Sequence, residues 1–158
     1  MNVANQKEAL FWSIGLPGFG QLLNGKLVKG IVFIILEFPI NVQSHFNEVI
    51  MFSFQGEIEK TIARADYQWL MFYPCLYFFA MWDAFKDAGG GKGSFAFLPL
   101  VFAAYFVTVG CMYSSTFQLF GILLGPIWLP MLCVIPGLAL GIILRIIISK
   151  WIKEAASQ

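Results

Sequence analysis

The chain has 158 residues, 59% of them hydrophobic and only 12% charged, with a formal net charge of +1. Soluble domains carry about 25% charged residues, so a chain this short and this apolar cannot hide its hydrocarbon surface in a core of its own, and its near-neutral charge excludes a basic face for nucleic acid. Cys75, Cys111 and Cys133 lie in apolar runs with neither CxxC nor Cys/His spacing, which argues for small packing residues and against a metal site or a structural disulfide.

The first apolar stretch, residues 9–23, is about 15 residues long where a membrane-crossing helix needs about 20. Pro17, Gly18 and Gly20 interrupt it, so it is expected to lie at the interface or re-enter it. No A-x-A cleavage site follows, and the chain is expected to begin at Met1 without a cleaved leader. Asn24-Gly25 reads as a turn. A first span is predicted from Leu27 to about Phe52, about 25 residues and roughly 37 Å at helical rise. Residues 53–66 form a polar connection in which Ile58 and Ile62 suggest a short surface helix, and Asp66 is placed to cap the next span. The second span is predicted over 67–85, with Tyr67, Trp69 and Trp82 near its ends as interfacial aromatics. A glycine-rich connection, 86–94, leads to a third span over 95–113. Ser114-Ser115-Thr116 then makes a tight turn. The fourth span, 117–149, holds Pro126, Pro130 and Pro136 and is expected to be kinked or broken, with Trp151 anchoring its end.

The expected fold is therefore an all-α integral membrane protein, four transmembrane helices plus an N-terminal interfacial or re-entrant helix, in a single domain over 1–158 whose second half, 95–150, is a helical hairpin. Four spans place Lys7, Lys26, Lys29, Lys86, Lys92, Arg145, Lys150 and Lys153 on one side and Lys60 and Arg64 on the other. That asymmetry predicts both termini and the glycine-rich connection in the cytoplasm; the expected location is the cell membrane of a bacterium.

Glu37 falls about 12 Å into the membrane from Lys29 at helical rise. A carboxyl group there costs several kcal/mol unless it is protonated, paired or near water. On a continuous helix Glu37, Asn41, Ser44 and Glu48 share one stripe, flanked by His45. Such a stripe suits a polar pathway or ligand site. It also suits a buried structural network in which tyrosines or proline-freed carbonyls cap Glu37. His45 is the only histidine, and a lone histidine is a poor metal site; no metal and no cofactor is expected. The neighbours Ser44 and His45 diverge on a helix, and HExxH and GxSxG are absent, which argues against catalysis. The run Gly89-Gly90-Gly91-Lys92-Gly93-Ser94 fails as a phosphate loop because Gly93 stands where Ser or Thr must follow the lysine. It reads as a flexible linker. Gly121-x-x-x-Gly125 and Gly137-x-x-x-Gly141 predict close helix packing in the last span.

The run Leu16-Pro17-Gly18-Phe19-Gly20-Gln21-Leu22-Leu23-Asn24-Gly25-Lys26, followed by Lys29-Gly30 and by Trp82-Asp83 at the end of the second span, resembles the TM2-domain family of small membrane proteins. The resemblance covers about residues 8–88. It implies an interfacial turn built on Pro17, Gly18, Gly20, Gln21, Asn24 and Gly25, and a cytosolic-face Asp83 within reach of Lys26, Lys29 or Lys86. The family implies no shared reaction.

Three functions follow in order of expectation. The first is a non-enzymatic accessory or scaffold subunit of a membrane assembly, meeting the lipid bilayer and either another membrane protein or a second copy of itself. The second is a small transporter or channel using the Glu37 stripe and a broken last helix. The third is an intramembrane enzyme acting on lipid.

Overall fold

The computed structural model describes residues 5–155, with Lys153 described in its backbone alone. The expected start at Met1 and the Lys153 charge lie outside what is described.

The protein is mostly helical. Asn5 caps α1 (Gln6–Gly15) by accepting from the Lys7 amide at 3.2 Å. The chain reverses at Leu16-Pro17-Gly18, where Gly18 takes φ +108° to open the short α2 (Phe19–Leu23). A turn through Asn24-Gly25 leads into α3 (Leu27–Gln43). Then come α4 (Phe46–Phe54), α5 (Ile58–Arg64), the single turn α6 (Tyr67–Leu70) and α7 (Phe72–Asp87). Asp66 caps α6, accepting from the Gln68 and Trp69 amides. α8 (Leu98–Tyr113) and α9 (Gly125–Ala155) complete the chain, separated by a two-stranded hairpin of β1 (Gln118–Leu119) and β2 (Ile122–Leu123).

Two antiparallel pairings organise these elements. α3 runs against α7, as the contacts Lys29–Asp83 and Glu37–Tyr73 show. α8 runs against α9 in the most extensive contact of the fold. There Gly137 and Gly141 sit against the α8 backbone: a Cβ built at Gly137 would come 2.8 Å from the Ala103 Cα, and one at Gly141 2.5 Å from the Pro99 Cα. Small residues thus bring the two backbones together along the hairpin. The α3–α7 layer and the α8–α9 layer meet where Trp128 Nε1 donates to the Ser53 carbonyl at 3.1 Å and where Tyr67 and Ser114 hydroxyls meet at 3.3 Å.

Four sequence-based expectations are corrected. The first span does not run straight to Phe52. His45 takes the left-handed conformation, φ +55°, which ends α3 and turns the chain by 63° into α4. Histidine is among the few non-glycine residues that tolerate this region. Residues 117–124 are not helical, because Phe120 and Gly121 both have positive φ and form the tip of the β1–β2 hairpin. The pair Gly121 and Gly125 therefore makes no helix-packing motif: Gly121 faces open space at the hairpin tip, and Gly125 sits at the start of α9 against Ile58. Finally, α9 continues through Pro130 and Pro136 as one helix. Each proline removes one backbone hydrogen bond, and the close seat on α8 holds the helix together across both.

Among the described residues one helix is long and apolar enough by itself to cross a membrane, Gly125–Ile152 in α9, at 28 residues or roughly 42 Å. α3 and α4 meet that test only as a bent pair. α8 has 16 residues, roughly 24 Å, and the region expected as the second span is interrupted at Met71 between α6 and α7.

The glycine seats generate a direct prediction. Gly141→Leu drives a side chain into the α8 backbone and should destabilise the protein by about 1–3 kcal/mol or more. Gly15→Ala, at a position with nothing within 4 Å, should be neutral. Unfolding midpoints of the detergent-solubilised protein would decide, and equal midpoints for the two variants would rule out a packed α8–α9 seam.

Candidate functional site

Two of the polar networks inside the fold are built on α7. At one end of the molecule α2 lies on the last turns of α7. Gln21, fully buried, donates through Nε2 to the Ala80 carbonyl at 2.8 Å and to Asp83 Oδ2 at 3.1 Å. Asn24 Nδ2 donates to the Ala84 carbonyl at 2.8 Å. Two amides one turn apart on α2 thus address carbonyls one turn apart on α7. Gly20 lets this happen: a Cβ there would meet the Ser13 hydroxyl, the Ala9 carbonyl and the Ala84 methyl at once. Pro17 is buried beside it. Lys29 then reaches across from α3 to Asp83 Oδ1 at 2.8 Å and Asp87 Oδ2 at 2.9 Å, carboxylates at i and i+4 on α7. Of the six turn residues read from the sequence, Gly20, Gln21 and Asn24 meet α7 at this clamp, Gly18 sits against Gly30 and Phe33 of α3, and Gly25 closes the local turn; among Lys26, Lys29 and Lys86 it is Lys29 that pairs with Asp83.

The second network lies further along the same two helices. Glu37 is buried, 8% exposed. Its Oε1 accepts from the Tyr73 hydroxyl at 2.5 Å and from Asn41 Nδ2 at 3.3 Å. The Phe46 ring packs on Tyr73 with centroids 4.2 Å apart, and Tyr77 lies 6.0 Å beyond. Asn41 also reaches Asn47 at 3.4 Å, and the buried Ser44 hydroxyl donates to the Asn41 carbonyl at 3.3 Å. Tyr73 and Tyr77 form one wall of a cavity of about 360 Å³, otherwise lined by groups such as Phe46, Cys111, Pro130 and Met131. An apolar chamber thus ends on a tyrosine hydroxyl that is committed to a buried carboxyl group.

The expected stripe is divided by the turn at His45. Glu37, Asn41 and Ser44 stay together. Glu48 falls beyond the turn and pairs instead with Arg64 on α5, through Arg64 Nε to Oε2 and Nη2 to Oε1 at 3.0 Å. That pairing raises the Arg64 guanidinium above its ordinary pKa. His45 contributes its backbone conformation at the junction. The cysteines are unbridged, and among the described residues no cluster of His, Cys, Asp and Glu could hold a metal ion.

Tyr73 was not singled out by sequence reasoning, yet a signal for it exists. With Lys29 facing Asp83 on antiparallel helices, eight residues onward from Lys29 lies Glu37, and eight residues back from Asp83 lies Cys75. Tyr73 and Tyr77 flank that level. Asp87 could have been found as the residue one turn beyond Asp83.

No family model, no curated protein and no solved structure matches this chain. The likeness to TM2-domain proteins rests on the motif residues alone.

The Glu37 network predicts an order of stabilities. Tyr73→Phe strips a buried acceptor of its donor and should cost about 1–3 kcal/mol. Glu37→Gln keeps an acceptor oxygen facing Tyr73 and should cost less than Tyr73→Phe, while Glu37→Leu should cost at least as much. Chemical unfolding in mild detergent would measure all three, and a Glu37→Leu protein as stable as the parent would show that the network bears no load. At the clamp, Asp83→Asn removes the charge facing Lys29 and should lower the unfolding midpoint, whereas Lys86→Gln should not.

Proposed function

We propose that this is a multi-pass membrane protein that crosses the bilayer four times and serves, without catalysis, as an accessory or scaffold subunit of a membrane assembly. One observation carries the reading. α9 is apolar over 28 residues, yet only 11% of its most apolar window is buried inside the chain. A core helix of a soluble protein would be mostly covered. Here Ile135 is 69% exposed, and on α3 Ile35 is 62% exposed. Contiguous apolar surface on this scale calls for lipid or another protein.

The four crossings are α3 with α4, α6 with α7, α8, and α9. Residues 67–87, taken across Met71, span roughly 31 Å at helical rise. The Lys29–Asp83 pair and the approach of Gly93 to Arg145 support placing Lys29, Lys86, Lys92, Arg145 and Lys150 at one end, with Lys60 and Arg64 near the other. By the positive-inside rule the first end, and both termini, face the cytoplasm. The scaffold role draws on where the polar groups go. Gln21, Asn24, Lys29, Glu37 and Asp83 are spent on internal hydrogen bonds, so the surface left for a partner is the apolar face, offered to another membrane protein or a second copy.

The transporter alternative draws on the cavity beside Tyr73 and on Glu37. The turn at His45 and the continuity of α9 remove the unbroken stripe and the broken helix on which it also relied.

Three measurements test these readings. In a cysteine-free background, Lys92→Cys and Glu59→Cys should react with an impermeant thiol reagent from opposite faces of sealed vesicles; labelling from one face would contradict four crossings. The detergent-extracted protein should migrate well above a 17.7 kDa chain or bring a partner with it. A strictly monodisperse monomer would contradict the scaffold role. Proteoliposomes should show no proton or ion flux that Glu37→Gln abolishes; such a flux would favour the transporter.

A further inference from the structure

A second cleft, about 770 Å³, opens between the 88–97 segment and the last turns of α9. Lys92, Ser94, Arg145, Ser149 and Lys150 face into it, and Gly93 forms part of its rim. Arg145 and Ser149 are one turn apart on α9, and Lys92 comes from the opposite wall. The glycine has a reason to be there: a Cβ at Gly93 would lie 2.7 Å from a guanidinium nitrogen of Arg145. Its absence lets the half-buried guanidinium close on the loop.

Convergence of cations sets this cleft apart: among the described residues Lys7, Lys26 and Lys86 also meet no carboxylate within ion-pair distance, but none of them lines it. Lys29, Lys60 and Arg64 each meet a carboxylate. Among the described residues Lys92, Arg145 and Lys150 meet none within ion-pair distance. Three cations therefore converge without compensation, accompanied by two hydroxyl donors. A planar guanidinium fork, two point charges and hydroxyls form a donor set suited to phosphate oxygens. The remaining wall is Ile142, Ile146 and Ile152, all exposed on the same stretch of α9. A free inorganic anion has no use for an isoleucine wall. An amphiphile with a phosphate head and hydrocarbon chains uses both halves.

We propose that this cleft binds the phosphate headgroup of an anionic phospholipid, with its acyl chains running along Ile142 and Ile146. The inference rests on the membrane reading above and adds to it a specific lipid class on the side of the termini, where anionic headgroups attract juxtamembrane cations.

Native mass spectrometry of the full-length protein, extracted in detergent with equal phosphatidylglycerol and phosphatidylcholine, tests it. The parent protein should retain phosphatidylglycerol in preference. Arg145→Gln should cut that preference about fivefold, as expected for one cation at a headgroup. Lys92→Gln, on the exposed segment where folding is not at stake, should do the same. Lys60→Gln at the opposite end should leave the ratio unchanged. Equal retention of the two lipids by the parent, or a preference unmoved by Lys92→Gln, overturns the proposal. Displacement of phosphatidylglycerol by millimolar orthophosphate would assign the cleft to free phosphate and overturn the lipid source. A protein that needs detergent for recovery but lacks the preference refutes this inference alone. One recovered from cells without detergent refutes the membrane reading beneath it.

Discussion

Asp83 accepts from Gln21 on α2 and from Lys29 on α3, and so ties two successive elements to one carboxylate on α7. The consequences travel along the helices. Once Lys29 faces Asp83, the antiparallel register of α3 and α7 is set, and Glu37 arrives beside Tyr73 two turns on. Polar contacts suit this task better than apolar ones. Apolar ridges tolerate sliding between helices, whereas a lysine held between two carboxylates one turn apart on the same helix has one favourable position. A slip would also part the buried Glu37 from its Tyr73 donor, at about 1–3 kcal/mol. The α8–α9 pair solves the same problem by shape, with Gly137 and Gly141 seated on backbone atoms of α8.

This division of labour fits the proposed setting. Within lipid, the transfer of apolar side chains from water no longer drives helices together, so close backbone approach and interhelical hydrogen bonds must supply the specificity. The fold has both, each in its own half. The outer faces of α3 and α9 are then free to be largely apolar. At the end of α9 three cations without a carboxylate partner among the described residues line one cleft, and that convergence is why it stands out as a place for a ligand.

Much of this was legible in the sequence where the signal is local. Asp66 as a cap, the short helix carrying Ile58 and Ile62, and the Asn24-Gly25 turn all depend on residues within a few positions of one another. The likeness to TM2-domain proteins pointed to the turn with Gln21 and, separately, to Asp83 at the end of the second span, and the glycines of the turn marked where backbones come close. What failed was long or conditional. Hydropathy could not see the turn at His45, because the residues on both sides remain apolar enough to continue a helix. Nor could it separate the hairpin at 117–124 from α9, since Phe117, Leu119, Ile122 and Leu123 suit either form. The prolines of α9 predict a break only in an isolated helix, and α8 supplies the missing context. The Glu37 stripe assumed a straight helix to Glu48, so it carried the turn's error with it. Tyr73 and the meeting of Lys92 with Arg145 required knowledge of which helices run side by side.

The central claim is that the exposed apolar faces of α3 and α9 lie against lipid. Spin labels placed singly at Ile35 and Ile143 in the reconstituted protein would test it, by comparing collisions with molecular oxygen, which concentrates in hydrocarbon, and with a water-soluble nickel chelate. High oxygen and low nickel accessibility at both positions is the predicted result. Nickel accessibility at either position would contradict it.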